Sequence, residues 1–123
     1  MDWKLELVIL PVTDVDRAKS FYVDKVGFHA DHDQTPFPGI RFVQLTPPGS
    51  ACSIAFGNGL TDAQPPANAT LQIVIPDADQ AHAELTRRGC QVSDIDNQAW
   101  GRFVYFSDPD GNRWALQQIV RPG

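Results

Sequence analysis

The chain has 123 residues, of which 42% are hydrophobic and 20% charged, and its formal net charge is -5. This length suits one domain with its own core, and no apolar run reaches the roughly 18 residues of a membrane helix. Lysines and arginines are scattered along the chain, so we expect no nucleic-acid or membrane partners. The start of the chain lacks the basic flank and the cleavage site of a signal peptide, so we expect a cytoplasmic protein. Cys52 and Cys90 lack CxxC spacing and are predicted to be buried thiols.

The first half of the chain contains one predicted helix among strands. "KLELVILPV" is typical of a strand, and Asp14 or Asp16 can cap a helix that Gly27 ends. A short strand, "FHADHD", and a loop, "QTPFPG", come next, followed by a hairpin of "IRFVQL" and "CSIAFG" around "TPPGS". The polar, proline-bearing stretch from Asn58 to Asn68 is predicted to be a linker within the domain.

The second half repeats this order. "TLQIVIP" predicts a strand, "DADQAHAELTRRGC" a helix capped by Asp77 and ended by Gly89, and "QVSDI" a short strand. "RFVYFS" and "RWALQQIV" then form a hairpin around "DPDGN". Arg102 to Val104 repeat Arg41 to Val43 at an offset of 61 residues, and the two helix starts repeat at an offset of 63. The repeat predicts an α+β fold of two tandem β-α-β-β-β modules.

Two such modules solve a packing problem, because one helix covers only one face of a small sheet. We therefore expect a single domain over residues 1–123, with module one at about 3–58 and module two at about 68–120. The two half-sheets are expected to curl into a cupped mixed sheet.

Three stretches carry a resemblance to a known family. "LVILPVTDVDRAKSFYVDKVGF", "LQIVIPDADQAHAELTRRG" and especially "FSDPDGNRWALQ" resemble the vicinal oxygen chelate superfamily of glyoxalases, bleomycin resistance proteins and extradiol dioxygenases, over residues 5 to 120. The resemblance implies paired modules around a ligand cavity, commonly in a homodimer. In the family's enzymes a His or Gln on each module's first strand and a Glu on its last strand hold a divalent metal.

Carried onto this sequence, the four metal positions fall on Leu7, Ile54, Thr70 and Ala115. Alkyl groups have no lone pairs and a single threonine hydroxyl is a poor ligand, so no metal or other cofactor is expected. His29 and His32 lie three apart on a predicted strand, which would send them to opposite faces, and His82 lies on the second helix.

The same resemblance, combined with strand alternation, predicts the lining of the cup. If Ala115 faces inward, Tyr105 opposes it and Phe103 opposes Gln117. The predicted ligand-binding set is Leu7, Ile9, Phe42, Gln44, Ile54, Phe56, Thr70, Gln72, Trp100, Phe103, Tyr105, Ala115 and Gln117. The opposite face, predicted to be core, holds Val8, Leu10, Val43, Leu45, Leu71, Ile73, Val104, Phe106, Trp114 and Leu116.

The sequence is compatible with several alternatives. The cup could be open to a ligand or filled by its own side chains, although its amide and phenol groups favour an open site. Phe37 and Trp100 could form a lid, stack on a planar ligand, or simply seal a loop. Arg41 and Arg102 could hold a carboxylate, but alternation favours strand-edge salt bridges.

Three functions follow, in order of preference. The first is a metal-free protein of the bleomycin-resistance kind that binds a largely apolar or aromatic small molecule as a homodimer, for drug sequestration or resistance. The second is a metal-independent isomerase or lyase, with Tyr105 and Glu6 as the catalytic candidates. The third is a metal-dependent glyoxalase or dioxygenase.

Overall fold

The computed structural model describes residues 1–120 and contains the predicted β-α-β-β-β unit twice. Each unit forms a mixed four-stranded sheet, with strand orders β1-β4-β3-β2 and β5-β8-β7-β6. The elements in chain order are β1 Leu7–Ile9, α1 Val15–Ser20, β2 His29–Phe37, β3 Ile40–Thr46, β4 Ser53–Asn58, β5 Thr70–Val74, α2 Ala78–Arg87, β6 Asp96–Gln98, β7 Gly101–Ser107 and β8 Arg113–Ile119. The α+β fold predicted from the repeat is confirmed. Across residues 1–120, none of the helices has the length and apolarity that crossing a bilayer requires.

Both helices begin and end where the sequence predicts. Asp14 and Asp77 are the N-caps, and each carboxylate accepts a hydrogen bond from the backbone N–H three residues later. The first helix continues as a π-helical segment, Phe21–Val26, before Gly27 ends it at φ 90°. Gly89 takes a φ of 85° after α2. Glycine suits both positions because side chains rarely tolerate positive φ.

Matching ion pairs tie each helix to its own sheet. Arg41 on β3 donates to Asp16 at 2.8 Å, and Arg102 on β7 donates to Asp79 at 2.9 Å. Each arginine lies on the helix-covered face of its sheet, so the predicted salt bridges are confirmed and neither guanidinium faces the predicted lining.

One hydrophobic core is shared by both sheets. Every residue of the predicted core face belongs to it, either buried or packed against its surface. Tyr22 lies at its centre and stacks on Phe28 and Phe56, while its ring edge meets Trp114 of the second sheet. Because both sheets turn their apolar faces to this one cluster, their opposite faces, called the outer faces below, point away from it.

A buried polar network joins the two modules at the "DPDGN" turn. Asp108 accepts hydrogen bonds from the Tyr22 hydroxyl at 2.7 Å and from the Asn112 amide at 2.8 Å. Asn112 also donates to the Pro11 carbonyl at 2.9 Å and accepts from the Ala67 N–H at 2.8 Å. The motif that carries the family resemblance is thus a structural tie between β1, the linker and β8.

Some predicted element boundaries are wrong. The first strand is three residues long rather than nine, and the last short strand is Asp96–Gln98 rather than "QVSDI". Most of the predicted loop "QTPFPG" belongs to β2, which runs to Phe37 at the edge of its sheet. An edge strand tolerates Pro36 because one side of its backbone has no ladder to complete.

A β-bulge at Asp31 overturns the predicted facing of two histidines. Ala30 pairs with Leu45 but His32 pairs with Gln44, so Asp31 is an extra residue. His29 pairs with Thr46, and Thr46 and Gln44 share a face of β3. Both histidines therefore lie on the outer face of the first sheet.

Candidate functional site

The outer face of the second sheet places the predicted aromatic and amide residues together. Tyr105 pairs with Ala115 and Phe103 pairs with Gln117, as predicted, while Gln72 pairs with Ala115 from the other side. The rings of Phe103 and Tyr105 are stacked, with centroids 5.9 Å apart and planes 11° apart. This half of the predicted lining forms one continuous surface.

A hydrogen-bonded pair orients the phenol on this surface. The Tyr105 hydroxyl donates to Asp96 Oδ2 at 2.7 Å, and the Gln98 amide donates to Asp96 Oδ1 at 2.9 Å. The hydrogen bond to Asp96 raises the pKa of Tyr105, and the bonds from Tyr105 and Gln98 lower the pKa of Asp96. At neutral pH the pair is a neutral phenol beside a carboxylate.

An amide chain runs across the same face to Trp100. Gln72 Nε2 donates to Gln117 Oε1 at 2.6 Å, and Gln117 Nε2 donates to the Trp100 carbonyl at 3.3 Å. Trp100 lies in the turn before β7, and its side chain is 62% exposed. The ring is therefore available to stack on a planar molecule, while its backbone is tied to the sheet.

On the first sheet, two of the predicted lining residues lie on the opposite face. Ile54 pairs with Leu45 and Phe56 pairs with Val43, so both side chains are buried in the core rather than on the outer face. The β3–β4 connection, residues 47–52, is one residue longer than the β7–β8 connection, residues 108–112, and this insertion shifts the register by one. The residues that share the outer face with Phe42 and Gln44 are Gly57 and Ala55.

This register also moves one of the four metal positions. Ala55, rather than Ile54, occupies the place in the first module that Ala115 occupies in the second, beside Ile9 and Gln72 respectively. The four positions are then Leu7, Ala55, Thr70 and Ala115, which supply three hydrocarbon groups and one hydroxyl. This donor set does not fit a divalent cation. Within the described part of the chain, no three His, Cys, Asp or Glu side chains are grouped to hold a metal.

A polar cluster on the first sheet was not predicted. Thr46 donates to the bulged Asp31, and its hydroxyl lies 2.6 Å from that of Ser53. Asp31 also lies 3.0 Å from His29 Nδ1, and the hydrogen bond from Thr46 lowers the pKa of Asp31. Neither the bulge nor the cluster has a local signal, because "HADHD" alternates like an ordinary strand. The outer face of the first sheet thus carries charged and hydroxyl groups in addition to the predicted lining residues.

Two cavities take in part of the predicted lining. The seam cavity, about 560 Å³, lies along the edge strands β1 and β5 and includes Ile9, Ile54, Thr70 and Gln72. The end pocket, about 370 Å³, is lined by Thr70, Tyr105, Phe106, Ser107, Arg113 and Trp114. Neither includes Phe42, Gln44, Phe103 or Gln117; Phe103 is buried, and the other three are partly buried on the outer sheet faces.

The remaining candidate residues play smaller parts. Glu6 is exposed and contributes its backbone carbonyl, which accepts from the Ser53 N–H at 2.7 Å. Phe37 is 68% exposed at the end of β2. Cys90 is buried as predicted, and burial raises the pKa of its thiol, whereas Cys52 is only partly buried.

Two four-stranded mixed sheets, each with one crossover helix and joined through the buried Asp108 and Asn112 of the "DPDGN" turn, define the glyoxalase/bleomycin resistance fold. The family model described as Glyoxalase/Bleomycin resistance protein/Dioxygenase superfamily matches residues 4–116, and the chain belongs to this superfamily. The resemblance stated from the sequence is confirmed.

Known relatives cover nearly the whole chain. The crystal structure of TnmS3, an antibiotic binding protein from Streptomyces sp. CB03234, is 36% identical and superposes with a TM-score of 0.85 over 97% of this chain and 98% of that one. A glyoxalase/bleomycin resistance protein from the same source is 36% identical, with a TM-score of 0.80 over 94% of this chain and 100% of that one. The uncharacterized protein YetH of Bacillus subtilis (strain 168) is 26% identical over 113 residues, which are 90% of this chain and 94% of YetH.

Proposed function

We propose that this protein binds a largely apolar or aromatic small molecule without a metal, as a sequestration or resistance protein. The observation that carries the proposal is the outer face of the second sheet, where Tyr105, stacked on the buried ring of Phe103, and Trp100 are exposed next to an amide chain. An apolar surface with a few fixed polar groups is typical of sites for drug-sized ligands. The antibiotic-binding relative TnmS3 supports the same conclusion.

We also propose that the site is completed in a homodimer. Large hydrophobic side chains are unusually exposed on the outer faces of both sheets: Val74 at 63% and Ile119 at 43% on the second sheet, and Ile9 at 46% on the first. Apolar patches of this kind mark surfaces that another molecule covers. A second copy would turn its first-sheet outer face towards this patch and enclose the ligand. The two modules, about 3–58 and about 68–120, then act as one domain, which their shared core supports.

The cytoplasm is the compartment that we propose for this dimer. Cys52 and Cys90 are free thiols, and thiols persist in reducing compartments.

Tryptophan fluorescence tests the proposed function. Titration with a panel of aromatic antibiotics and related natural products should give saturable quenching, and the dissociation constant should be the same with and without a chelator. Trp100→Phe is expected to abolish most of the quenching, whereas Trp3→Phe, in the exposed N-terminal segment, should leave it unchanged. A panel without saturable quenching, or binding that requires a divalent metal, would contradict the proposal.

The Tyr105–Asp96 pair keeps a metal-independent isomerase or lyase as a second candidate. Its phenol is oriented, but the proton already lies in a hydrogen bond to Asp96 and the pKa of Tyr105 is raised, which makes the phenol a weaker acid. Binding is therefore the preferred function. If a substrate is found, turnover lost in Tyr105→Phe with unchanged affinity would reverse this preference.

A further inference from the structure

We infer that the end pocket of the second sheet is a subsite for a carboxylate on the ligand, with Arg113 as the residue that binds it. The inference rests on the proposed function, since it names the class of molecule that the outer face would take: an arene that carries a carboxylate group. The aromatic part would lie on Tyr105, which contributes to both the outer face and the end pocket.

Arg113 differs from the other arginines in residues 1–120. Each of the others lies within 4 Å of a carboxylate: Arg17 near Asp110, Arg41 near Asp16 and Asp33, Arg87 and Arg88 near Glu84, and Arg102 near Asp79. No carboxylate of the described residues makes such a pair with Arg113. Arg113 is solvent-exposed where it lines the end pocket, so its positive charge is accessible to an anionic ligand in a chain whose net charge is -5.

The Arg113 side chain is anchored by one hydrogen bond and has further N–H donors that are unused. One Arg113 Nη donates to the Asn68 carbonyl at 3.0 Å, which is its only hydrogen bond to the described residues. A guanidinium group has five N–H donors in a planar fork, so most of them remain available. Such a fork binds a carboxylate through two parallel hydrogen bonds.

Neighbouring hydroxyl groups complete the subsite. Arg113 pairs with Thr70 on one side and with Ser107 on the other, so the three side chains emerge on one face at the end of the sheet. All three line the end pocket. Thr70 occupies one of the four metal positions of the family and has no metal-binding side chain. This end of the sheet therefore presents a hydroxyl and a guanidinium group. With one cation and two hydroxyls, the subsite suits a monoanionic oxygen group better than a dianionic phosphate.

A pair of isosteric probes tests the inference at pH 7. Anthracene-2-carboxylate and anthracene-2-carboxamide differ in charge but little in shape, and their binding is measured by fluorescence titration. We expect the carboxylate to bind more tightly than the amide, and Arg113→Gln to weaken its binding about tenfold while changing amide binding less than about twofold. Arg113→Lys, which keeps the charge without the fork, should recover part of the loss. Arg87→Gln removes the same charge from exposed α2 and should have no effect.

The outcomes separate this inference from the proposed function. If both probes bind equally well, or only the amide binds, or Arg113→Gln weakens both probes alike, the carboxylate subsite is wrong while small-molecule binding stands. If neither probe binds, the inference is wrong, and the natural-product panel decides the proposed function separately.

Discussion

Tyr22 is the residue on which the two modules meet. Its side chain is fully buried, and its hydroxyl donates to Asp108 at 2.7 Å and accepts from Trp114 Nε1 at 3.0 Å. Burial and the neighbouring carboxylate of Asp108 raise the pKa of Tyr22 far above its usual range. The phenol is therefore neutral at physiological pH, and its role is to satisfy two buried partners.

Removal of this hydroxyl should be costly. Tyr22→Phe leaves the Trp114 N–H without an acceptor and Asp108 with one donor fewer, so we expect a loss of about 1–3 kcal/mol in the free energy of unfolding, measured by urea denaturation. Tyr105→Phe is the matched control, because Tyr105 is 39% exposed and water can replace its hydroxyl. We expect the control to cost less than about 1 kcal/mol. Equal losses in the two variants would contradict the role assigned to Tyr22.

The ion pairs of Asp33 predict how the free energy of unfolding depends on pH. Hydrogen bonds from Arg41, at 2.9 and 3.0 Å, and from Lys19, at 2.9 Å, hold the pKa of Asp33 well below its usual range. A depressed folded-state pKa contributes stability above the unfolded value of about 3.9, and that contribution is lost as the pH falls through the folded value. The urea concentration at the unfolding midpoint of the wild type should therefore decrease when the pH is lowered below about 4.

Two variants isolate this contribution. Asp33→Asn should be less stable than the wild type at pH 7 and should show a shallower loss of stability on acidification. Asp62→Asn, at an exposed position in the linker, should follow the wild-type curve. A parallel acid slope for Asp33→Asn and the wild type would show that Asp33 does not carry the effect.

At the scale of elements, the hairpins show what a sequence can and cannot predict. The "DPDGN" hairpin was placed in the correct register because its turn has strong local preferences. The predicted strand register of the "TPPGS" hairpin is wrong by one residue, because its longer connection fits more than one register. A slip of one residue exchanges the two faces of a strand, which is why Ile54 and Phe56 were assigned to the wrong face.

The β-bulge was also not predicted, because a short stretch of sequence is compatible with more than one strand pairing. The bulge at Asp31 is held by a hydrogen bond to Thr46, a residue 15 positions away, so "HADHD" alone does not predict it. Every residue that the sequence assigns to the core face does belong to the core, because apolar alternation along strands reflects burial directly, and only the register error left Ile54 and Phe56 out of that prediction. The second-sheet half of the site follows from the same alternation.

The "DPDGN" turn makes a second stability prediction. Asn112 is fully buried and satisfies the Pro11 carbonyl and the Ala67 N–H. Asn112→Ala leaves both groups without this partner, and we expect it to lower the free energy of unfolding by about 2–4 kcal/mol in chemical denaturation. Asn97→Ala, which removes an exposed acceptor of Arg102, should cost less than about 1 kcal/mol. A small effect at Asn112 would mean that the turn does not tie the modules together.

At the scale of the molecule, the exposed apolar residues on the outer sheet faces support the proposed homodimer. The outer face of the second sheet carries Val74, Tyr105 and Ile119 without cover from the described residues of its own chain. We therefore expect the protein to have twice the mass of one chain by light scattering. The sequence-based lining could not show which surfaces cover it, because alternation assigns a residue to a face but not to a partner.

A charge on that face should separate the two copies. Val74→Lys is expected to give a monomer and to weaken ligand binding, because a lysine in an apolar contact must lose its hydration. Gln80→Lys, on the exposed part of α2, introduces the same charge and should leave the mass unchanged. A wild type that scatters as a single chain would contradict the homodimer.

Because both modules share one core, we expect them to assemble even without the covalent connection between them. Residues 61–64 are exposed and lie outside any helix or strand, so a cut there breaks no ladder. Each fragment alone would expose the apolar side of a small sheet, and the complementary fragment offers the surface that fits it. Co-expression of the two pieces from separate genes should therefore reconstitute one folded particle, whereas either piece expressed alone should aggregate.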